Sequence, residues 1–256
     1  MSESGREGRP GGVEGAEGVS GVKGVAGRRV VVAGATSASG TAVCGALVEA
    51  GAEVVALGSN AGRLDSLALA VPGIATEVCD LSDSSAVDTL ALRLIASGPI
   101  DGLVHLVGGW VGGRGIPGQT DAGWATVERS FRTLRNTTRA FYPALVASEA
   151  ARVAFVSSIS VDAPTASGAD YTAAKAASES WMRSLAQGFR TDQADGPLRA
   201  AAVVFAVKAL VDDGMRRAEP QKTFPGFTDV LTLATAVVGL WSTPAAELDG
   251  ARIRLP

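Results

Sequence analysis

Short apolar runs alternate with amphipathic stretches along most of this chain. The runs include Arg29–Ala33 (RVVVA), Glu53–Leu57 (EVVAL), Leu103–Val107 (LVHLV), Arg152–Ser157 (RVAFVS) and Arg199–Phe205 (RAAAVVF). None shows strict apolar–polar alternation, which is the pattern of strands buried on both faces. Ile74–Val78 and Ala251–Leu255 predict two more strands, making seven. Between them, helical patterns cover about 40–50, 61–70, 84–96, 121–148, 168–190 and 230–241. Gly51, Pro72-Gly73 and Gly98-Pro99 supply the stops, and Asp83 or Ser84 caps the third helix. Strand followed by helix, repeatedly, predicts a single α/β domain over residues 28–256, with a doubly wound parallel sheet. In such sheets ligands bind beyond the carboxyl ends of the strands. Gly34, Leu57, Asp80, Gly108 and Ser158 fall at such ends.

Two stretches break the pattern. Residues 1–27 are rich in Gly, Glu and Ser, with no apolar core of the kind a signal peptide needs, and predict a disordered tail. Residues 206–228 carry no periodicity and predict a substrate lid. Within that lid, Met215, Phe224 and Phe227 either face an apolar substrate or fasten the segment to the core.

Composition narrows the function classes. The 256 residues carry a net charge of −3, and aromatic residues make up 5%. Neither a basic patch nor an aromatic surface is present to engage nucleic acid. No apolar run reaches eighteen residues, so no membrane span is expected. Two cysteines (Cys44 and Cys79) and one histidine (His105) are too few for a zinc site, so no metal is expected. The thiols read as buried packing residues in a reducing compartment, which places the protein in the cytoplasm.

The candidate chemistry lies in ADYTAAKAA, residues 169–177. Tyr171 and Lys175 are four apart, which sets both on one face of a helix. A phenol has an unperturbed pKa of about 10, and a neighbouring ammonium favours its ionised form. Ser158 lies thirteen residues before the tyrosine, at the end of a strand, within Ser157-Ser158-Ile159-Ser160. A second constellation follows the first strand. Gly34-Ala35-Thr36-Ser37-Ala38-Ser39-Gly40 is a glycine-bounded turn opening a helix, suited to a pyrophosphate. The second strand ends Leu57-Gly58-Ser59-Asn60, without the acid that would bond a ribose 2′-hydroxyl. Ser59 and Asn60 suit either a hydroxyl or a phosphate there, and Arg63 is near enough in sequence to neutralise a phosphate.

These motifs resemble those of the short-chain dehydrogenase/reductase superfamily, from about Gly27 to the C-terminus, with this chain a divergent member. The resemblance implies a Rossmann-like, mostly seven-stranded sheet and a nicotinamide dinucleotide bound by Gly34, Thr36, Ser37, Ala38, Ser39 and Gly40. It adds Ser59, Asn60, Arg63, Asp80, Leu81, Val107, Gly108, Tyr171 and Lys175 to the cofactor site. Tyr171 is then the general acid/base, Lys175 its pKa-lowering partner and ribose ligand, and Ser158 the substrate-oxygen ligand. The implied function is hydride transfer between the cofactor, NADP(H) in preference to NAD(H), and a small-molecule carbonyl/alcohol pair. Two alternatives stand beside it: a catalytically impaired binding or regulatory protein, and a redox-neutral epimerase or lyase on the same fold.

The departures from the family are specific. Ala33 stands for the turn's threonine and Ala38 for its middle glycine. The Asn-Asn-Ala-Gly strand end is His105-Leu106-Val107-Gly108. Ser130 occupies the place of the asparagine that holds a water linking the lysine to solvent, and Asn136, about 240° further round the helix, does not substitute for it. Phe205-Ala206 replaces Pro-Gly after the sixth strand, and the threonine that follows it in the family is not evident in Val207–Val211. His105 either lines the adenosine side of the cleft or is a buried, backbone-bonded residue. Gly108–Arg114 contains Gly-Gly-Trp-Val-Gly-Gly, similar to a stretch in quinonoid dihydropteridine reductases, and places Trp110 beside the substrate or as a loop anchor. The resemblance also implies a homodimer or homotetramer paired through the helices at 121–148 and 168–190.

Overall fold

A computed structural model of the protein describes residues 24–256 together with Met1. The elements in chain order are β1 (Arg29–Ala33), α1 (Ala38–Glu49), β2 (Glu53–Gly58), α2 (Ala61–Ala70), β3 (Ala75–Val78), α3 (Ser84–Ala96), β4 (Gly102–His105) and α4 (Asp121–Ala147). They continue with β5 (Arg152–Ser158), α5 (Ala169–Asp192), β6 (Ala201–Val207), β7 (Leu210–Val211), α6 (Asp213–Ala218), β8 (Thr228–Asp229), α7 (Val230–Gly239), α8 (Ala245–Leu248) and β9 (Arg252–Arg254). Seven strands form one parallel sheet in the order β3-β2-β1-β4-β5-β6-β9. The order reverses direction between β1 and β4, so a crevice opens there at the carboxyl ends, where doubly wound sheets bind their ligands.

The apolar runs are buried on both faces because each face has its own core. Val31, Leu57, Leu103, Val153 and Phe155 pack with Leu134, Phe141, Met182 and Phe189 from α4 and α5. Val30, Val32, Ala56, Ala154 and Phe205 pack on the opposite side with Val43, Leu47, Leu233 and Trp241. Cys44 and Cys79 are buried free thiols, one in each core, as their lack of a pairing pattern implied. Burial pushes the Cys44 thiol up to about 12, so it stays a neutral packing group.

Three boundaries differ from the sequence reading. Ordered structure begins before Gly27: Val25 is buried in the core, and Gly27 N–H donates to Gly51 O at 2.8 Å. The rest of the tail expectation lies outside the described residues. β4 ends at His105 because the chain then leaves the sheet to pass over the Gly34 turn; Leu106 N–H makes the last bond, to Ala33 O at 2.8 Å. The segment 206–228 is not irregular throughout. Asp212 caps α6 by accepting from Met215 N–H at 2.9 Å, Arg216 pairs with Asp229 at 2.6 Å, and β7 pairs with β8. Pieces of two to six residues are too short to show a period.

Candidate active site

The turn after β1 has a shape that only glycine permits at both ends. Gly34 has φ of 80°, and a Cβ there would lie 2.9 Å from the Leu106 carbonyl carbon and the Val107 nitrogen. At Gly40 a Cβ would collide with the Gly34 and Ala35 carbonyl oxygens. Ser37 caps α1: its hydroxyl accepts from Gly40 N–H at 3.0 Å and donates to Gly34 O at 2.9 Å. Ala38 is exposed at the first position of α1, where its methyl meets no crowding, while Ser39 is buried against Ser37. The turn therefore holds its own shape and aims the positive end of α1 into the crevice.

Beside the turn, at the start of α2, Arg63 donates to Thr36 O at 2.9 Å. With Thr36, Thr41 and Ser66 it lines a hollow of about 220 Å³. Asn60 caps α2 by accepting from Arg63 N–H, and Ser59 is exposed beside it. Asp80 is exposed, and its Oδ1 accepts from Ser82 N–H, Ser82 Oγ–H and Arg129. Those bonds hold its carboxyl below the usual range. Leu81 is buried, and its carbonyl accepts from Asn136 at 3.1 Å. Asn136 thus fastens the loop after β3 and stands away from the lysine, consistent with its place on the helix.

Ser158, Tyr171 and Lys175 line one cavity of about 430 Å³, together with Ser37, Ser39, Val107 and Gly108. The sequence motifs from β1, β4, β5 and α5 therefore meet in space. Ser158 ends β5, and its hydroxyl accepts from Ser160 N–H at 3.1 Å and from Ser160 Oγ–H at 2.9 Å. Thr172 donates in turn to Ser160 at 3.3 Å. Two donors on one hydroxyl leave its own proton free to be given towards Tyr171. Neither supporting residue was singled out from the sequence. The neighbouring Ser157 hydroxyl is engaged elsewhere, because it is buried and donates to Glu179 at 2.6 Å.

The electrostatics correct one expectation. The Tyr171 phenol lies above its ordinary pKa: burial raises it, and a hydrogen bond with Ser158 works against that rise. The Lys175 ammonium sits 5.8 Å from the phenol ring centre, donates to Val156 O at 2.8 Å and lies 4.6 Å from the Phe155 ring centre. It faces the ring plane and a backbone carbonyl rather than the phenol oxygen. Burial lowers its own pKa to about 8, and Glu179, one turn on, partly offsets this. Glu179 is itself engaged by Arg252 at 3.0–3.1 Å, and the same guanidinium reaches Asp162 at 3.0 Å and Ser158 O at 3.2 Å. Arg252 on β9 thus ties that edge strand to the loop after β5, a link the sequence did not signal.

Ser130 does not reach the cavity. It is buried within α4, its hydroxyl donates to Val127 O at 2.6 Å, and its carbonyl accepts from Thr133 Oγ–H at 3.0 Å. With both groups engaged inside the helix, it does not stand in for the family asparagine. His105 does line the cavity, fully buried, with Nε2 3.0 Å from Thr133 Oγ1. Its Nε2 meets the Thr133 side chain, and Lys175 and Phe155 are its neighbours.

Trp110 lines the mouth of the cavity and is 72% exposed, so its indole is not a buried anchor. Its ring lies against Gly112, where any Cβ would strike it. Arg114 is exposed and outside the cavity lining. From the 206–228 segment, Lys208, Ala209 and Leu210 reach the cavity. Phe224 and Phe227 pack on each other at 5.6 Å and against Lys222 and Lys208, and neither they nor Met215 line it. Among the described residues no cluster could hold a metal ion, and no helix is long and apolar enough to cross a membrane.

Comparison with known proteins agrees with this architecture. The family model described as short chain dehydrogenase matches residues 28–203. A short chain dehydrogenase of Pseudocercospora fijiensis is 30% identical over 167 residues, covering 62% of this chain and 54% of the relative. The chain thus spans about half the length of that relative. The NADPH-bound structure of a short chain oxidoreductase from Pseudomonas aeruginosa, described as containing an atypical catalytic center, superposes with a TM-score of 0.76 at 23% identity, over 89% of this chain and 95% of that one. NAD+-bound xylitol dehydrogenase superposes at 0.78 and 17% identity, over 91% and 99%. With its matched sequence, its sheet order and its glycine turn at the β1–β4 crevice, the chain belongs to the short chain dehydrogenase family.

Proposed function

We propose that the protein is an oxidoreductase that moves hydride between a nicotinamide dinucleotide and a small carbonyl/alcohol pair. The observation that carries this reading is the single cavity that joins Ser158, Tyr171 and Lys175 to the glycine turn. The crevice suits a dinucleotide because the absent Cβ atoms of Gly34 and Gly40 keep the backbone open to a pyrophosphate. Bound there, the nicotinamide supplies the hydride chemistry, and this chain's residues position and protonate. Ser37, Ser39 and Gly108 border the cofactor's path. Ser158, primed by Ser160, bonds the substrate oxygen. Tyr171 Oη gives that oxygen its proton in reduction and takes it back in oxidation.

Burial, which pushes the phenol up, keeps Tyr171 protonated, the state a proton donor needs in reduction. Lys175 has two N–H groups beyond the one given to Val156 with which to meet the ribose, and its charge then sits nearer the phenol. Arg63 above Thr36, with no acid at the end of β2, favours NADP(H) over NAD(H). The surface hollow lined by Thr138, Tyr142, Trp181, Leu185 and Gly188 on α4 and α5 supports pairing of these helices in a homodimer or homotetramer, which a solution mass would check.

The test is a titration with both reduced cofactors, followed by a screen of ketones, aldehydes, quinones and pterins. The expected result is tighter NADPH than NADH binding and NADPH consumption with at least one carbonyl class. The engaged state of Ser130 favours one second reading, a dinucleotide-binding protein without turnover. NADPH binding with no consumption across the panel would select it.

A further inference from the structure

Ser158 is the last residue of β5, and the chain beyond it folds at once into a short turn, Ile159–Val161. That turn brings two donors back to the Ser158 hydroxyl, Ser160 N–H at 3.1 Å and Ser160 Oγ–H at 2.9 Å. The peptide joining Ser158 to Ile159 sets the direction in which the turn leaves the strand. A peptide is planar and moves as one unit. Were this one to rotate, Ser160 N–H would swing away from the hydroxyl, and the hydroxyl would lose its aim. Whatever holds the Ser158 carbonyl therefore holds the hydroxyl as well.

Arg252 holds it. Its Nη2 donates to Ser158 O at 3.2 Å and its Nη1 to Asp162 Oδ2 at 3.0 Å, so one guanidinium spans the turn from end to end. The guanidinium is in turn set by Glu179, whose carboxylate oxygens accept from Nε at 3.1 and 3.0 Å. Glu179 also accepts from the Ser157 hydroxyl at 2.6 Å. One carboxylate thus governs the last two residues of β5, Ser157 directly and Ser158 through Arg252. The Asp162 carboxyl is 57% exposed, so its pair contributes little. Glu179 is 4% exposed, and a carboxylate that deep is costly to leave without a partner. For stability alone, apolar side chains packed here would serve as well as an ion pair. What they would not supply is direction. A guanidinium presents its donors in a rigid plane, and here they reach two carboxylates and a carbonyl at fixed angles.

We propose that Arg252, held by Glu179, is a positioning residue for Ser158: it fixes the peptide after the serine and so aims the hydroxyl at the substrate oxygen beside Tyr171. Neither Arg252 nor Glu179 lines the cavity, so both act through the serine. The role given to Ser158 rests on the function proposed above, but the restraint on the turn is testable without any substrate.

Arg252→Lys is the test, because it keeps a cation for Glu179 but loses the planar fork. The single-turnover rate should fall about tenfold, the size of a lost hydrogen bond to a charged group, while NADPH affinity stays within about twofold. In a Ser158→Ala background the same substitution should change the residual rate by less than about twofold, since no hydroxyl remains to be aimed. A wild-type rate in Arg252→Lys would overturn the proposal. So would a tenfold loss in both backgrounds, which would show that Arg252 only braces the fold. The second readout is amide hydrogen exchange. The Ser160 amide should exchange at least about fivefold faster in Arg252→Lys, with the β1 amides unchanged. Unchanged Ser160 exchange would overturn the proposal and leave the oxidoreductase reading untouched. A wild-type protein that turns over no carbonyl in the screen would count against that reading instead, and the Ser160 exchange rate would still decide whether Arg252 holds the turn.

Discussion

The Gly34–Gly40 turn and the end of β4 face one another across the same crevice, yet they are held by different means. The turn is fixed by backbone: at Gly34 and Gly40 there is no room for a side chain, whatever its chemistry. The β4 end and the α4 face behind it are fixed by side chains, through His105, Thr133 and Ser130. A backbone constraint admits one residue type and stays recognisable. A side-chain constraint can be met by different groups, provided the hydrogen bonds still close. The glycines at the two ends of the turn accordingly remain even though Ala33 and Ala38 depart from the family pattern beside them, while the second wall has exchanged its polar groups at His105 and Ser130.

The contrast is broken most directly by filling the turn. Gly40→Val should cost on the order of 3–5 kcal/mol, since the new Cβ meets rigid carbonyl oxygens rather than a flexible side chain. Thermal denaturation and NADPH titration should both show the loss; a variant that binds NADPH normally would mean that the turn does not touch the cofactor.

Lys175→Met sharpens the contrast, because function and stability should move oppositely. Turnover should fall at least about 100-fold. Stability at pH 7 should rise by roughly 1–3 kcal/mol, because a buried, carbonyl-bonded ammonium has been removed. The folded lysine, at about 8, sits below its ordinary 10.5. Between those values the unfolded wild type binds more protons than the folded one, so wild-type stability rises with pH. The variant's advantage should therefore shrink from about pH 8 to 10.5. Denaturant melts across that range check the sign, and an advantage that grows with pH would contradict it.

Arg63→Gln should weaken NADPH about tenfold while changing NADH little, the signature of one lost charge-assisted bond to a phosphate. Equal losses for both cofactors would mean that Arg63 only braces Thr36. The smallest effect is expected at Ser130→Ala. Its hydroxyl bonds only its own helix, so activity should stay within about twofold and stability within about 0.5 kcal/mol.

The sheet was legible in the sequence because its strands are apolar runs with clear breakers, and α4 and α5 because their patterns are long. The turn, Ser158, Tyr171 and Lys175 were legible because each is tied to an element boundary or a helical spacing. What escaped was long-range or satisfied by side chains. Arg252 reaches Ser158 from 94 residues away. Ser160 and Thr172 act only through a chain of hydroxyls. The lysine's effect on the phenol was inferred from i,i+4 spacing, but spacing does not say which acceptor an ammonium will choose, and here it is Val156 O. Ser130 was placed correctly on its helix and wrongly in the cavity, because a serine within a helix can bond its own backbone.

The central claim is that Tyr171 supplies the proton that accompanies hydride transfer. The most direct measurement compares wild type with Tyr171→Phe, following NADPH absorbance under single-turnover conditions with the best carbonyl from the screen, and NADPH affinity by fluorescence. The account predicts affinities within about threefold and a rate lowered at least about 100-fold in the variant. A Tyr171→Phe protein that oxidises NADPH at the wild-type rate would contradict it.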